Sequence, residues 1–270
     1  MTLLQAASKA LPPSTRPAVR NFLARQLRTG ALAILNRTPE WGLEVTLDMV
    51  LSHYRQARRT VRYLQIGAFD GISYDSVFPL VEKHGLIGIL VEPQPEPFAR
   101  LRANYACFDE SAFTFVNAAI AATDGYIPLF TVKPEAKGPD WIHQIASFDR
   151  SVVMKHAGAI QDLASLIEIR HVPCITFQTL FENLGLDYVD FLQIDAEGYD
   201  AELLRLFDIP TRRPAIVRFE HKHLTRREHV GCVKLLAGSG YKVWFSPDDT
   251  LAYLCNQSVE TNGHKSRYSS

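Results

Sequence analysis

From Tyr63 onward the chain alternates two hydrophobic patterns. The runs "YLQIGA" (63–68), "GILVEP" (88–93), "FTFVNAAI" (113–120), "DFLQIDAEG" (190–198) and "AIVRFEH" (215–221) are short and mostly apolar. Such runs read as strands buried on both faces. Between them apolar residues recur at helical spacing. Ser73 to His84 reads as a helix ending before Gly85, Phe98, Leu101 and Tyr105 mark the next, and Phe177, Leu180, Phe181 and Leu184 another. "AELLRLF" (201–207) is helical, and Thr225 with Glu228 forms a capping box that opens a helix ending near Gly238. "YKVWFSP" and "TLAYLC", on either side of "DD", close the chain as an antiparallel hairpin. This rhythm predicts an α/β fold: a mostly parallel sheet with right-handed crossovers and both faces covered.

Two regions break the rhythm. Residues 121–175 hold the strand-like runs "IPLFTV" and "LIEIRHVPCI", with an irregular stretch between them that carries Trp141, His143 and His156. A long aromatic-bearing loop inside an α/β domain predicts a lid or acceptor site. Residues 1–60 read as an N-terminal helical extension. Val19, Phe22, Leu23 and Leu27 form one helical stripe, and Leu43, Leu47, Val50, Leu51 and Tyr54 a second. That segment holds nine Lys or Arg against three acids. The excess fits helices packed on the main domain with a solvated basic face, or a membrane-surface or anionic-acceptor contact. The main domain is expected over 61–255, and the polar residues 256–270 as a flexible tail.

Composition changes this picture little. The chain has 270 residues, 29 basic and 29 acidic, and is 47% apolar. That is a globular protein with a full core, and zero net charge argues against a dedicated nucleic-acid partner. Cys107, Cys174, Cys232 and Cys255 are scattered without paired spacing, which predicts reduced structural thiols. No apolar run approaches the ~18 residues that cross a bilayer. The N-terminus is too short and too interrupted by Lys9 for a signal peptide, so a cytoplasmic setting is expected.

The first chemical signal is "GAFDG", Gly67 to Gly71, between the first strand and the next helix. A glycine-rich turn there lets a ligand approach the backbone. It gains weight from Glu92, at the end of the next strand and 25 positions after Gly67. An acid at that point can accept bonds from both ribose hydroxyls of a nucleoside. The G-x-G-x-x-G pattern of dehydrogenases is missing, which favours a nucleoside without a diphosphate over a nicotinamide cofactor.

The blocks "LQIGAFDGISYDS", "ILVEPQPEPFARL", "FVNAAIAATDG", "LQIDAEGYDAELL" and "VRFEHKHL" resemble, in order and spacing, those of FkbM-type methyltransferases. The resemblance covers about residues 62 to 245. It implies the Rossmann-like sheet of class I methyltransferases: seven strands, mostly parallel, with an antiparallel strand inserted by the last hairpin. It also implies S-adenosylmethionine as cofactor, held by Gly67, Ala68, Phe69 and Gly71. Glu92 would hold the ribose, Asn117 and Ala118 would flank the adenine, and Asp195 would lie near the methionine end or the acceptor. Many class I enzymes carry an acid where this chain has Gln65, which can accept a hydrogen bond but adds no charge. Asp70 or Asp195 would then supply the charge for the methionine ammonium.

Read from the residues alone, Asp195 and Glu197 follow an apolar strand directly, at the edge where open sheets bind ligands. Asp200 is better placed than either to cap the next helix. "FEHKHL" adds Glu220, His221 and His223 at the next strand end. Asp195, Glu220 and His221 together suggest a divalent cation, but neighbours along a strand point to opposite faces, so no metal is expected. His221 is the leading general base, with Asp195 and Glu197 as its catalytic company; His143 and His156 are weaker candidates. The expected reaction is O-methylation of a hydroxyl on a sugar, glycan or natural product, the hydroxyl preference coming from the resemblance. The alternatives are N-methylation and a non-catalytic nucleoside-binding protein.

Overall fold

The computed structural model describes residues 42–57 and 60–254, with side chains over residues 46–56 in the first helix. The predicted helix around Phe22, Cys255 and the polar tail lie outside the described residues. Helix α1 (Gly42–Ala57) precedes strand β1 (Val61–Ile66). It buries Leu47, Val50, Leu51 and Tyr54 in the cluster that also holds Tyr63, Phe191 and Ile216 of the sheet. The buried Asp190 pins it. One carboxylate oxygen accepts from Tyr54 Oη at 2.7 Å and the other from the Arg62 amide at 2.9 Å.

The alternation then runs α2 (Phe78–His84), β2 (Leu86–Val91), α3 (Pro95–Asn104) and β3 (Phe113–Val116). Helix α2 is shorter than the periodicity predicts. Asp75 accepts from the amides of Val77 and Phe78, so its side chain ends the preceding turn and starts the helix only there. The predicted strand over 113–120 is two strands. β3 joins the main sheet and β4 (Ala119–Ile120) a second one. Between them Asn117 donates to the Glu92 carbonyl at 2.8 Å, tying the chain to the end of β2 as it changes sheets.

The interrupting segment is ordered. β5 (Gly125–Val132) pairs antiparallel with β6 (Ile167–Ile175), which also pairs with β4. Between β5 and β6 lie the short helices α4 (Arg150–Met154) and α5 (Leu163–Leu166), packed round Val132, Ile142, Ile145, Val153, Ile160 and Leu163. The main chain resumes with α6 (Phe177–Leu184), β7 (Phe191–Ile194), α7 (Asp200–Leu206), α8 (Ile209–Arg212) and β8 (Ile216–Glu220). It closes with α9 (Arg226–Gly238), β9 (Tyr241–Phe245) and β10 (Asp249–Leu254). The capping box between Thr225 and Glu228 opens α9.

The large sheet has seven strands in the order β3-β2-β1-β7-β8-β10-β9. Only β10 runs antiparallel to its neighbours. Strand order reverses between β1 and β7, which opens a crevice at their carboxyl ends. One face is the cluster of Leu64, Ile66, Leu192, Ile194, Val217 and Phe219, and the other holds Tyr63, Phe191 and Ile216. Among the described residues no helix is long and apolar enough to cross a membrane. Cys107, Cys174 and Cys232 are free thiols.

Candidate active site

A cavity of about 560 Å³ lies at the carboxyl ends of β1, β2, β7 and β8, the size of a site for a drug-sized molecule. Trp141, residues 144–148 and His156 of the insertion form its outer wall.

On the side of β1 and β2, Gln65, Gly67, Ala68, Phe69 and Glu92 line the cavity. Glu92 is buried, and each of its oxygens accepts one backbone N–H: from Phe69 at 2.9 Å and from Gln94 at 2.8 Å. Each oxygen keeps a lone pair for a further donor. Burial raises the Glu92 pKa to about 7, against the pull of those amides. Ala118 also lines the cavity, whereas Asn117 serves the change of sheets described above.

The glycines do a different task from the one their spacing suggests. Gly67 (φ 77°) lies against β7's end: a Cβ there would overlap the Asp195 carbonyl. A Cβ on Gly71 (φ 74°) would meet Leu101 and Tyr105. Both are demanded by protein packing. Gly71 and Asp70 do not line the cavity. The Asp70 carboxylate is occupied by the amides of Ile72 and Ser73 and the Ser73 hydroxyl, so it folds the loop and does not reach a ligand. Its placement corrects the expectation that it faces a cofactor ammonium.

Gln65 has an unforeseen partner. β1 and β7 both end in "LQI", and their register sets Gln65 beside Gln193. Both are buried and both line the cavity. Gln65 Nε2 donates to Asp75 at 2.8 Å, and the Oε1 atoms of both glutamines have no partner among the described residues. The repeated tripeptide was a signal for this pair. Beside them Arg218 of β8 is held by Asp249 at 3.0 Å and by the Ser76 hydroxyl.

At the ends of β7 and β8 stand Asp195, Glu197, Glu220 and His223. Asp200 occupies the turn, accepting from Ala196 N at 3.4 Å and Gly198 N at 3.2 Å, which leaves Asp195 and Glu197 to the cavity. Glu197 itself sits at φ 46°, a strained conformation for a side-chain-bearing residue. Its carbonyl accepts from Ser147 Oγ at 2.7 Å, locking the turn to the insertion. Asp195 is open to the cavity lumen yet walled in by protein, and its pKa is raised by that burial and then by Glu197, Asp200 and Asp249. Glu220 is pushed up to about 10, by burial first and then by Asp195 and Glu197.

His221 is not part of this group. It lies on the other side of the strand end, stacked on His229 at 3.9 Å, with Nδ1 2.9 Å from Thr250 Oγ1. Alternation along the extended chain sends Glu220 to the cavity and His221 away from it. The base expected at His221 is therefore displaced. The histidine in the cavity is His223, whose Nε2 is 3.0 Å from Glu197 Oε2. It lies past the strand, in a turn that strand periodicity does not order. His156 reaches the same place from the insertion, its ring 5.6 Å from that of His223. His143 does not line the cavity.

The strand order, the antiparallel β10 and a cavity at the β1/β7 reversal define the class I methyltransferase fold. The family model for the methyltransferase FkbM domain matches residues 65–258, more than half of the chain. The chain belongs to that family, and S-adenosylmethionine is the cofactor this membership assigns. Among solved structures the chain is similar to methyltransferase FkbM from Methylobacillus flagellatus KT, at 13% identity and a TM-score of 0.47, covering 87% of this chain and 59% of that one. It is similar to the METTL16 methyltransferase domain at 10% identity and a TM-score of 0.43, covering 77% and 65%. A third is the SAH-bound Podospora anserina methyltransferase PaMTH1, at 13% identity and a TM-score of 0.35, covering 86% and 96%. This chain thus spans less than two thirds of each of the first two. No curated protein matches.

Proposed function

We propose that the chain is an S-adenosylmethionine-dependent methyltransferase that methylates a hydroxyl of a sugar, glycan or natural product. The observation that carries the reading is one cavity with two chemically different ends. Glu92 offers open carboxylate lone pairs at one end, and Asp195, Glu197, Glu220 and His223 converge at the other.

The residues fit the cofactor. Glu92 accepts the ribose hydroxyls, Ala68, Phe69 and Ala118 bound the base, and the unpartnered oxygens of Gln65 and Gln193 accept from the methionine ammonium. Asp195 supplies the negative charge that Gln65 lacks. The bound sulfonium supplies an activated methyl group. The protein then aligns the acceptor oxygen and keeps water out. Trp141, residues 144–148 and His156 close the outer wall for that purpose. The acceptor's proton passes to Asp195, beside which Glu220 keeps its own proton at neutral pH, and Glu197 with His223 closes the far side.

Two measurements test the reading. Calorimetry is expected to show S-adenosylhomocysteine binding and no NAD binding; the reverse result sinks it. Labelled S-adenosylmethionine with a panel of glycans, hydroxylated natural products and amines is expected to label hydroxyls. Labelling of amines alone would replace O-methylation by N-methylation.

A further inference from the structure

The acceptor end of the cavity carries more ligating groups than proton transfer needs. His156, Glu197 and His223 each place one ligand atom within 4.8 Å of the others, and so do Asp195, Glu197 and Glu220. Three of these atoms, His156 Nε2, Glu197 Oε2 and Glu220 Oε2, are fully buried with no hydrogen-bond partner among the described residues. Leaving a buried polar atom without a hydrogen bond costs about 1–3 kcal/mol, and here three such atoms lie in two clusters that share Glu197. Glu197 Oε2 and His223 Nε2 lie 3.0 Å apart, without a hydrogen bond between them.

The surroundings hold the groups in place. Lys155 Nζ donates to the His223 carbonyl at 2.9 Å, and Ser147 Oγ to the Glu197 carbonyl at 2.7 Å. Trp141 packs on His156 with ring centroids 5.3 Å apart. The three residues come from the insertion, the β7 turn and the β8 turn, so nothing in local structure requires them to converge. A strained Glu197 backbone, held on purpose by a hydrogen bond from the insertion, is the geometry of a site built for an occupant.

We infer that His156, Glu197 and His223 bind a divalent first-row transition ion. Two imidazoles and one carboxylate suit zinc or manganese better than magnesium, which prefers an all-oxygen shell. Three protein ligands leave open positions on the ion. Those positions face the cavity beside Asp195 and Glu220. In the methyltransferase reading, on which this part rests, an acceptor hydroxyl would bind there, become more acidic through the ion, and give its proton to Asp195. The set differs from the one that strand-end spacing suggests. It shares none of Asp195, Glu220 and His221: His223 stands for His221, Glu197 for the strand-end acids, and the insertion contributes His156.

The test uses the full chain freed of metal by chelator. Titration calorimetry with Zn²⁺ and Mn²⁺ is expected to show one ion per chain, each bound at least ~10-fold more tightly than Mg²⁺. Co²⁺ is expected to give visible d–d absorption. His156→Gln and Glu197→Gln are each expected to weaken Zn²⁺ by more than ~100-fold, beyond the loss seen for outer-shell partners. His156 is half-buried and makes no hydrogen bond through Nε2, so its variant keeps the test valid should Glu197→Gln fold poorly. Thermal melts confirm folding. No ion uptake, equal affinity for Mg²⁺ and Zn²⁺, or unchanged Zn²⁺ affinity in folded His156→Gln overturns the site. S-Adenosylhomocysteine is titrated into the same samples. If it binds while metal does not, the site falls and the methyltransferase reading stands. If metal binds and it does not, the reverse holds.

Discussion

The two ends of the cavity are built on opposite plans. At the β1/β2 end the lining groups are tied by bonds within the end itself: Glu92 holds Phe69 and Gln94, and Gln65 is tethered to Asp75, while Asp70 holds the loop behind them. At the β7/β8 end the lining comes from three distant segments and leaves His156, Glu197 and Glu220 with buried atoms that make no hydrogen bond among the described residues. The first end has its backbone fixed by these bonds and leaves the Oε1 atoms of Gln65 and Gln193 open among the described residues. The second keeps most of its bonding capacity open. A cofactor common to a whole family suits a cradle held by its own bonds, and a particular acceptor suits groups whose bonding capacity is kept open.

The sharpest way to break this contrast is to change the carboxyls at the open end. Asp195→Asn is expected to lower turnover by about 10²- to 10⁴-fold, the range of a lost proton acceptor, and Glu220→Gln by less, because Glu220 keeps its proton at neutral pH. Glu220→Gln is expected to leave S-adenosylhomocysteine affinity within a few fold, and single-turnover rates read beside calorimetry check both. An equal loss of cofactor affinity in Glu220→Gln would show that the two ends are one unit.

Next comes the joint between them. Gly67→Ala sets a Cβ against the Asp195 carbonyl at a φ of 77°. It is expected to cost about 3 kcal/mol or more, since both strain and overlap act on backbone. Denaturant melts measure this. A neutral Gly67→Ala would mean that the ends of β1 and β7 move apart freely.

Within the satisfied end, Glu92→Gln removes charge and one of two acceptor oxygens. Cofactor affinity is expected to fall by about 2–3 kcal/mol, the scale of charge-assisted hydrogen bonds. Thermal stability of the ligand-free protein is expected to change far less than for Gly67→Ala. Unchanged affinity would move the ribose elsewhere.

The smallest effect is on pH. Burial raises the Glu92 pKa to about 7 from an ordinary 4.5, so a proton sits on it below neutrality. The ribose hydroxyls are received best by the anion. Affinity for S-adenosylhomocysteine is therefore expected to rise with pH below 7, by at most ~10-fold per unit, and to level off above it. For the ligand-free protein the sign is opposite. The raised folded pKa makes this group's contribution most favourable below 4.5, and it is lost as pH rises through about 7. Loss of the affinity slope in Glu92→Gln assigns it; a slope that persists assigns it to another group.

Much of the scaffold is legible along the chain. The apolar runs, the Thr225–Glu228 box and the DD hairpin mark elements whose stability is local or depends only on burial. Glu92 is legible for the same reason, as a polar residue ending an apolar strand. The periodicity fails where side chains compete with backbone. Asp75 delays α2, and Asn117 divides the run 113–120 between two sheets.

The sequence by itself determined the α/β rhythm, the family and which strand ends carry acids, because those depend on residue type and on period two or 3.6. It could not say that Gly67 and Gly71 are spaced for packing, since that requires knowing which backbone or ring lies opposite. Nor could it choose His223 over His221. A strand's alternation excludes His221, but only the turn after β8 and the insertion's path across the cavity bring His223 and His156 to Glu197. That meeting joins residues 156, 197 and 223, whose separation along the chain carries no pattern, and it was decided by how the insertion packs on the sheet's edge.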